Sequence, residues 1–214
     1  MTSASTTIDR RAALKARHRQ AILDAAAALI RERGKPRFSV DELAELADVA
    51  RRTIFNHFSS LDEIVLITCT RVLTDAVDEF RAATRATPTG DGTRVSLFSE
   101  IAAALRGMDL PSVIAYLWGV LAEEGEDGKS QSAMQDVFAL TTEQLSLEIA
   151  GRTLDLDQLE VEILVSSLMN GVAVAARHWV TLTGATLDAP SRAIWNDLLD
   201  RLIEAVRTGY SPPT

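Results

Sequence analysis

Residues 38–64 have the sequence FSVDELAELADVARRTIFNHFSSLDEI, in which two short helical patterns flank a tight turn. Ser39 and Glu42 have the spacing of a capping box, which predicts that the first of these helices begins directly after Ser39. Ile54 and Phe58 form an apolar pair four residues apart, which predicts that the second helix buries one face. The segment is therefore expected to fold as a helix, a turn and a helix.

A third helix is predicted to follow, because Ser60 and Glu63 form another capping box in front of an apolar run. The second helix of the motif has a cationic, hydrogen-bonding face with an aromatic side chain in it. Such a face suits a helix in the DNA major groove, where Arg pairs with guanine and apolar groups meet the thymine methyl. The alternative is a solvated helix of an ordinary bundle. The face consists of Arg51, Arg52, Thr53, Phe55 and His57.

The charge of the chain is unevenly distributed along the sequence. The whole chain has a formal net charge of -8 and a pI near 4.9, which by itself argues against a nucleic-acid partner. Residues 1–60, however, contain eleven Lys and Arg against seven Asp and Glu, a net charge of +4. Interactions between exposed charges fade over about 8 Å at physiological salt, so an acidic body need not cancel a basic end that faces phosphates. The asymmetry indicates two parts with different partners.

The remaining sequence has helical rather than strand periodicity throughout. We expect an all-α fold, in which an N-terminal three-helix helix-turn-helix domain (residues 1–70) is joined by a long helix to an all-helical effector-binding and dimerisation domain (residues 71–214). Gly34 is expected to end the first helix, and 86–93 is a loop by composition. Outside the motif, the expected helices cover about 8–34, 61–84, 94–106, 111–123, 129–151, 156–183 and 191–208.

The composition also bounds the cellular setting. Cys69 is the only cysteine, so the chain can form no internal disulfide, and a reducing cytosol is the expected compartment. The first residues lack the apolar core of a signal peptide, and the longest apolar stretch, 163–176, is too short to span a bilayer. We therefore expect a cytoplasmic protein with no membrane partner.

The last two predicted helices carry more apolar surface than one chain is expected to bury. The final helix has two adjacent apolar stripes, of which one suffices for the core and the other is available to a partner. A two-fold homodimer is favoured, because that symmetry is the most common and paired DNA-reading helices need it. The alternative is a central helix buried within one subunit. The expected dimer interface contains Leu168, Val172, Ala175, Trp195, Leu199 and Ile203.

The sequence resembles the TetR (tetracycline repressor) family of bacterial transcription regulators. The resemblance lies in the order of its parts, which are a basic first helix, the motif SVDELAELADVARRTIFNHFSSLDEI and an acidic all-helical remainder. The specific part of the resemblance covers about Arg19 to Thr70. The resemblance implies that the second motif helix enters the major groove of operator DNA, that the last two helices pair as a four-helix bundle, and that the middle helices enclose a pocket for a small-molecule inducer.

Carried over position by position, the resemblance implies that Arg51 and Arg52 contact bases and that Thr53 and His57 contact phosphate or base. The sequence departs from the family pattern in four places, with Asp48 for a turn Gly, Ala50 for a Ser or Thr cap, Phe55 for a Tyr and Leu61 for a Lys. The fold tolerates these changes, whereas the grip on DNA must come partly from other basic residues. The expected DNA-binding residues are Arg51, Arg52, Thr53, Phe55, Asn56, His57, Ser39, Lys35, Arg37, Arg17 and Arg19.

The sequence says less about the effector pocket than about any other expected site. Large or polar side chains on the middle helices are of the kinds that line apolar ligand pockets, although at helical spacing such residues more often belong to an ordinary core. The candidate pocket residues are Phe98, Met108, Tyr116, Trp118, Met134, Phe138, Met169, Asn170 and Trp179.

The leading functional hypothesis is a repressor that a small apolar or amphipathic ligand releases from a palindromic operator. The alternative is an architectural or cell-division DNA-binding protein on the same fold, without an inducer. An enzyme is not expected, since the sequence has no nucleophile–base pair, glycine-rich phosphate loop or metal signature, and no cofactor or metal is expected.

Overall fold

The computed structural model describes residues 3–87, 90–121 and 156–208, and between these ranges residues 139, 142, 143, 145–147 and 149–152. The described residues form helices, turns and loops without a strand, which confirms the all-α class. Described residues between 139 and 150 are helical as well. The helices with described bounds are α1 (Ser3–Arg33), α2 (Val40–Leu46), α3 (Arg51–His57), α4 (Leu61–Ala86), α5 (Arg94–Gly107), α6 (Leu110–Leu121), α7 (Gln158–Thr183) and α8 (Ala189–Thr208).

The chain divides into two compact units. The N-terminal unit contains α1, α2, α3, the part of α4 up to Arg71 and the last residues of α6 from Gly119. The C-terminal unit contains α4 from Val72, α5, α6 up to Trp118, α7 and α8. Both α4 and α6 therefore pass along the chain from one unit to the other.

The core of the N-terminal unit is formed by the apolar face of α1 and the motif helices. Ile22, Ala26 and Ile30 of α1 are completely buried, as is Leu43 of α2. Gly34 ends α1 with a φ of 68°, a left-handed conformation that glycine adopts without strain, as the sequence predicts. The helix begins at Ser3 rather than at about residue 8, because extending an existing helix adds one hydrogen bond for each residue fixed.

The core of the C-terminal unit is built around α7 and α8. The indoles of Trp179 and Trp195 meet edge to face with their ring centres 6.2 Å apart, and Trp179 Nε1 donates to the carbonyl oxygen of Ser191 at 2.7 Å. At Gly171 the two helices approach so closely that a Cβ there would come within 2.1 Å of Leu202 Cδ1. Gly171 therefore permits a close approach of α7 and α8 within one chain.

A buried ion pair connects distant parts of the C-terminal unit. Arg152 Nη2 lies 2.8 Å from Glu100 Oε2 and also donates to the carbonyl oxygen of Thr87 at 3.0 Å. The other carboxylate oxygen of Glu100 accepts from the N–H of Gly90 at 2.8 Å and from the hydroxyl of Ser96 at 3.2 Å. Burial raises the pKa of Glu100, but these hydrogen bonds outweigh it and hold the pKa below its ordinary value.

Five of the six residues expected at the dimer interface are buried in the core of their own chain and have almost no surface left for a partner. Val172 is partly buried and packs against the same core. The stripe of α8 that retains surface is the neighbouring one, with Ile194, Leu198 and Leu202 half-buried. The five buried residues are Leu168, Ala175, Trp195, Leu199 and Ile203, with exposed fractions of 3%, 7%, 2%, 2% and 4%.

Candidate nucleic-acid interface

The start of α2 is fixed by the predicted capping box. Ser39 Oγ accepts from the N–H of Glu42 at 3.2 Å, and Glu42 Oε2 accepts from the N–H of Ser39 at 2.7 Å. Arg33, at the end of α1, donates to Glu42 Oε1 at 2.7 Å. The hydrogen bond from Arg33, together with those from Ser39, lowers the pKa of Glu42 to about 2. Glu42 therefore stays ionised and links α1 to the first helix of the motif.

The turn between α2 and α3 has the geometry expected from its sequence. Asp48 has a φ of 52°, so it occupies the left-handed position that an Asp side chain tolerates. The chain closes with a hydrogen bond of 3.0 Å from the N–H of Val49 to the carbonyl oxygen of Ala44. Ala50 is the N-cap of α3 and makes no side-chain cap bond, as expected for alanine. The turn thus survives both substitutions at the cost of one cap.

The two faces of α3 have opposite surroundings. Ile54 is 1% exposed and Phe58, which caps the helix, is 3% exposed. Arg51, Arg52 and Asn56 are exposed on the other side, and Phe55 keeps 51% of its surface in solvent. An apolar ring held in water beside two guanidinium groups has the composition of a surface that meets thymine methyl groups and guanine edges. The structure thus presents the predicted face to solvent, and Thr53 is half-buried at its margin.

The two arginines of α3 differ in their partners. Arg51 Nη1 lies 3.2 Å from Asp41 Oδ1 of α2, in a pair whose side chains are 61% and 72% exposed. Such an exposed pair contributes little stability and can open without a large cost. Arg52 has no ion-pair partner among the residues that the structure describes. Arg52 is therefore available to DNA directly, whereas Arg51 must exchange a carboxylate for a base or phosphate.

The middle of α1, around His18 and Arg19, lies against the end of α3. The Arg19 guanidinium lies 4.5 Å from the centre of the Phe58 ring, a cation–π contact that orients this side chain. The imidazole of His57 faces that of His18 with the ring centres 6.3 Å apart. Arg17 and Arg37 are exposed, and Lys35 is half-buried. His18 was not among the residues expected at this surface, although it lies between two of them, Arg17 and Arg19.

The start of α4 follows the prediction with one difference. Ser60 Oγ accepts from the N–H of Glu63 at 3.1 Å, as a capping box requires. The Glu63 carboxylate, however, accepts at 2.6 Å from both the N–H and the hydroxyl of Ser59, one residue before the expected partner. The Ser59 bonds lower the pKa of Glu63. Both sets of hydrogen bonds fix the start of α4 directly after the motif, as the predicted capping box would.

The comparisons with known proteins agree with this geometry. Residues 22–66 match the model of the bacterial regulatory proteins of the tetR family.

The N-terminal domain belongs to the TetR family.

The fold of a putative TetR-family transcriptional regulator from Mesorhizobium loti is similar, with a TM-score of 0.66 and 17% identity over 92% of this chain and 98% of that one. The repressor SmeT from Stenotrophomonas maltophilia is similar with a TM-score of 0.55 and 18% identity over 87% and 89% of the two chains. The search of curated proteins found no match. The match assigns residues 22–66 to the DNA-binding domain type of tetR-family regulatory proteins, and the structural likeness shows a shared helical fold.

Four of the expected pocket residues, Phe98, Met108, Met169 and Trp179, belong to or pack against the hydrophobic core of the C-terminal unit. Trp179 is completely buried and hydrogen-bonded within the core, so it packs rather than lines a pocket. Asn170 is exposed and donates to the carbonyl oxygen of Ser166 in its own helix. Phe98 and Tyr116 are buried, Met108 and Met169 are half-buried, and Trp118 is 46% exposed. Met134 and Phe138 lie outside the described residues.

A cleft of about 240 Å³ lies between the α5–α6 turn and α8. It includes Met108, but its other side chains are mainly polar or charged, with Arg106, Asp109, Arg192 and Asn196 among them. Arg192 is already bound to Asp109 at 2.6 Å, which raises the pKa of the guanidinium and lowers that of the carboxylate. This polar surface does not suit the apolar ligand that the sequence led us to expect.

Proposed function

We propose that this chain is a homodimeric repressor of transcription that a small apolar or amphipathic ligand releases from a palindromic operator. The observation that supports it best is the face of α3, which keeps Arg51, Arg52 and Phe55 in solvent while Ile54 fixes the helix in the core. SmeT is named as the repressor of a multidrug efflux pump, and at 18% identity it offers an analogy for repression rather than evidence.

Dimerisation is supported by the surface of α7. An 18-residue window of this helix has a mean hydropathy of 1.5, enough by length and composition alone for a membrane span, yet only 22% of the window is buried within the chain. Such an apolar surface on a TetR-family regulator is best explained by a second copy of the chain that covers it. The exposed stripe, here called the outer stripe of α7, consists of Leu159, Ile163, Ser167, Asn170 and Val174.

We propose the outer stripe in place of the interface that the sequence predicted. It lies on the side of α7 away from Leu168 and Ala175, which are buried in the chain. We propose that the outer stripe and the half-buried stripe of α8 together form the two-fold interface. A dimer of this kind would present two α3 helices to two half-sites of one operator.

The interface is tested by Val174→Glu, which places a charge in the proposed apolar contact and is expected to give monomers by analytical ultracentrifugation. Val95→Glu is the matched control, since Val95 is 76% exposed on α5, away from the outer stripe. Operator binding should weaken with Val174→Glu alone. A dimer that survives this change would show that another face is used.

The ligand is supported by an unsatisfied polar group in the C-terminal unit. Thr84 is 1% exposed, and its hydroxyl has no hydrogen-bond partner among the described residues. It follows Val77 and Phe80 on the buried face of α4. A buried hydroxyl without a partner costs free energy that a bound molecule can recover. We propose that the effector has an apolar body and one group that hydrogen-bonds to Thr84.

The ligand proposal is tested by screening apolar and amphipathic compounds for those that lower operator affinity. Ligand and operator must then oppose each other by the same factor in both directions of titration. For a compound that acts, Thr84→Val should weaken its binding by about threefold to tenfold, as expected for one lost hydrogen bond. Thr74→Val, at an exposed position of the same helix, should change nothing. Unchanged ligand affinity in Thr84→Val would place the site elsewhere.

DNA recognition is tested by selecting bound sequences from random duplex DNA with the full chain. We expect an inverted repeat whose half-sites are separated by whole helical turns. No enrichment over the starting pool would contradict sequence-specific regulation. An architectural role would instead give many weak chromosomal sites in a genome-wide occupancy experiment, with no compound that changes occupancy.

A further inference from the structure

Two of the three histidines of this chain meet at the end of the recognition helix. His57 is the last residue of α3, and His18 comes from α1. Their rings meet edge to face with centres 6.3 Å apart, and both side chains are half-buried. His178 is exposed on α7, in the C-terminal unit.

The groups around His57 form a strongly cationic cluster. Lys15, His18 and Arg19 of α1 are the charged neighbours that act on it. Burial of His57 lowers its pKa, and each of these three neighbours lowers it further. On α4, the Glu63 carboxylate is held by Ser59 and interacts with Arg19. On α2, Asp41 and Glu42 are bound to Arg51 and Arg33.

Glu63 is the carboxylate that interacts with Arg19, and a cluster in which the cations outnumber such a carboxylate is suited to an external anion. The cluster lies at the end of the helix whose exposed face is proposed to enter the major groove, where the nearest anions are DNA phosphates. A phosphate placed between α1 and α3 would form charge-assisted hydrogen bonds to an imidazolium and would balance Lys15 and Arg19.

We propose that His57, faced by His18, is a phosphate-binding group that takes up one proton per protomer when operator DNA binds, so that operator affinity depends on pH. The proton comes from solvent and adds to the free imidazole nitrogen, which then donates an N–H to a phosphate oxygen. No proton leaves the phosphodiester, which is ionised throughout. This inference rests on the proposed function, because it requires DNA at α3.

The direction of the pH dependence follows from linkage. In the free protein the pKa of His57 lies below its ordinary value of 6.5, so the ring is largely neutral at pH 7. A bound phosphate raises this pKa, because an opposite charge favours the imidazolium. The added affinity is therefore complete below the free pKa and is lost as the pH rises through the bound pKa. In this window each protomer should lose up to about tenfold in affinity per pH unit.

The first experiment is calorimetric titration of the wild-type chain with the selected operator in two buffers of different ionisation enthalpy. The difference in heat gives the number of protons taken up, and we expect up to two per dimer near pH 7. The affinity should increase as the pH falls from 8 to 6. No proton uptake, with operator binding intact, would overturn the inference while leaving the proposed function standing.

Variants then assign the proton to a residue. His57→Gln should abolish the pH dependence, and His57→Lys, which carries a fixed charge, should bind at pH 8 as tightly as at pH 6. His18→Gln removes one cationic neighbour, so it should move the pH dependence towards higher pH without abolishing it. His178→Gln is the control and should behave as wild type. A wild-type slope in His57→Gln would contradict the assignment.

A measurement on the unmodified chain covers the case in which a His57 variant does not fold. With three histidines per protomer, the Cε1–H resonances of the chain can be followed by NMR with and without operator. We expect the resonance of His57 to titrate at higher pH in the complex, and that of His178 to stay unchanged. If the chain binds no DNA sequence preferentially, the proposed function fails. If it binds an operator but the His57 resonance titrates at the same pH with and without DNA, only this inference fails.

Discussion

The N-terminal and C-terminal units differ in how closely their structure follows from neighbouring residues. In the N-terminal unit, the capping box of Ser39 and Glu42 and the left-handed Gly34 are local features with partners at most four residues away. In the C-terminal unit, Arg152 reaches Glu100 across 52 residues. A motif made of local interactions can be recognised from sequence. A helical bundle held by distant contacts is compatible with many sequences, so few sequence patterns identify it.

The same difference separates their chemistry. The N-terminal unit exposes Arg51, Arg52 and Phe55 and buries the apolar side chains of Ile54 and Phe58. The C-terminal unit exposes the outer stripe of α7 and buries an ionised carboxylate, Glu100, instead. Charge on the surface suits a nucleic-acid partner, whereas an exposed apolar helix suits a second protein chain.

The largest expected effect is on the stability of the C-terminal unit. Arg152→Ala leaves the Glu100 carboxylate, 7% exposed, without its cation and should cost about 3–5 kcal/mol in the free energy of unfolding. Arg106→Ala is the matched control, since its pair with Asp200 has side chains that are 51% and 62% exposed and should cost less than about 1 kcal/mol. Urea denaturation gives both values, and equal small losses would show that the buried pair is not what holds this unit together.

The second prediction concerns the surface of the N-terminal unit. Arg52→Ala should weaken operator binding by about 1–3 kcal/mol if the guanidinium reads a base, and should weaken binding to random DNA much less. Fluorescence anisotropy on both DNAs at fixed salt measures this difference. Arg177→Ala, at an exposed position of α7 in the C-terminal unit, is the control. Equal losses on the two DNAs would assign Arg52 to a phosphate contact.

The motif, the all-α class and most helix bounds could be predicted because each depends on spacing along the chain. The dimer interface could not be placed, because the two stripes of α8 are adjacent and equally apolar. Only the position of the other helices shows that Leu199 and Ile203 face inward while Leu198 and Leu202 keep some surface. Sequence periodicity shows that a face is apolar but does not show what covers it.

The candidate pocket could not be placed from sequence for a related reason. A large aromatic residue on a helix has the same spacing whether it lines a cavity or fills a core, and Trp179 fills the core with its indole N–H bonded to Ser191. Thr84 was missed because a single buried threonine has no sequence signature. His18 was missed for a different reason, since its significance depends on His57, a residue 39 positions away that only the fold brings close.

The smallest effect tests whether the local rules of the N-terminal unit can be used to improve it. Ala50 is an exposed N-cap with φ −69° and ψ 145°, the extended conformation that a capping serine adopts, but it makes no side-chain bond. Ala50→Ser should therefore add a cap to α3 and stabilise the unit by about 1 kcal/mol. Ala28→Ser is the same substitution at an exposed position inside α1, where serine has no free N–H to cap and should be slightly destabilising. Thermal unfolding of both variants and the wild type separates the effect of the cap on stability from the effect of adding a hydroxyl group. A gain at both positions, or at neither, would mean that the stability of this unit is not governed by the local interactions that made it recognisable.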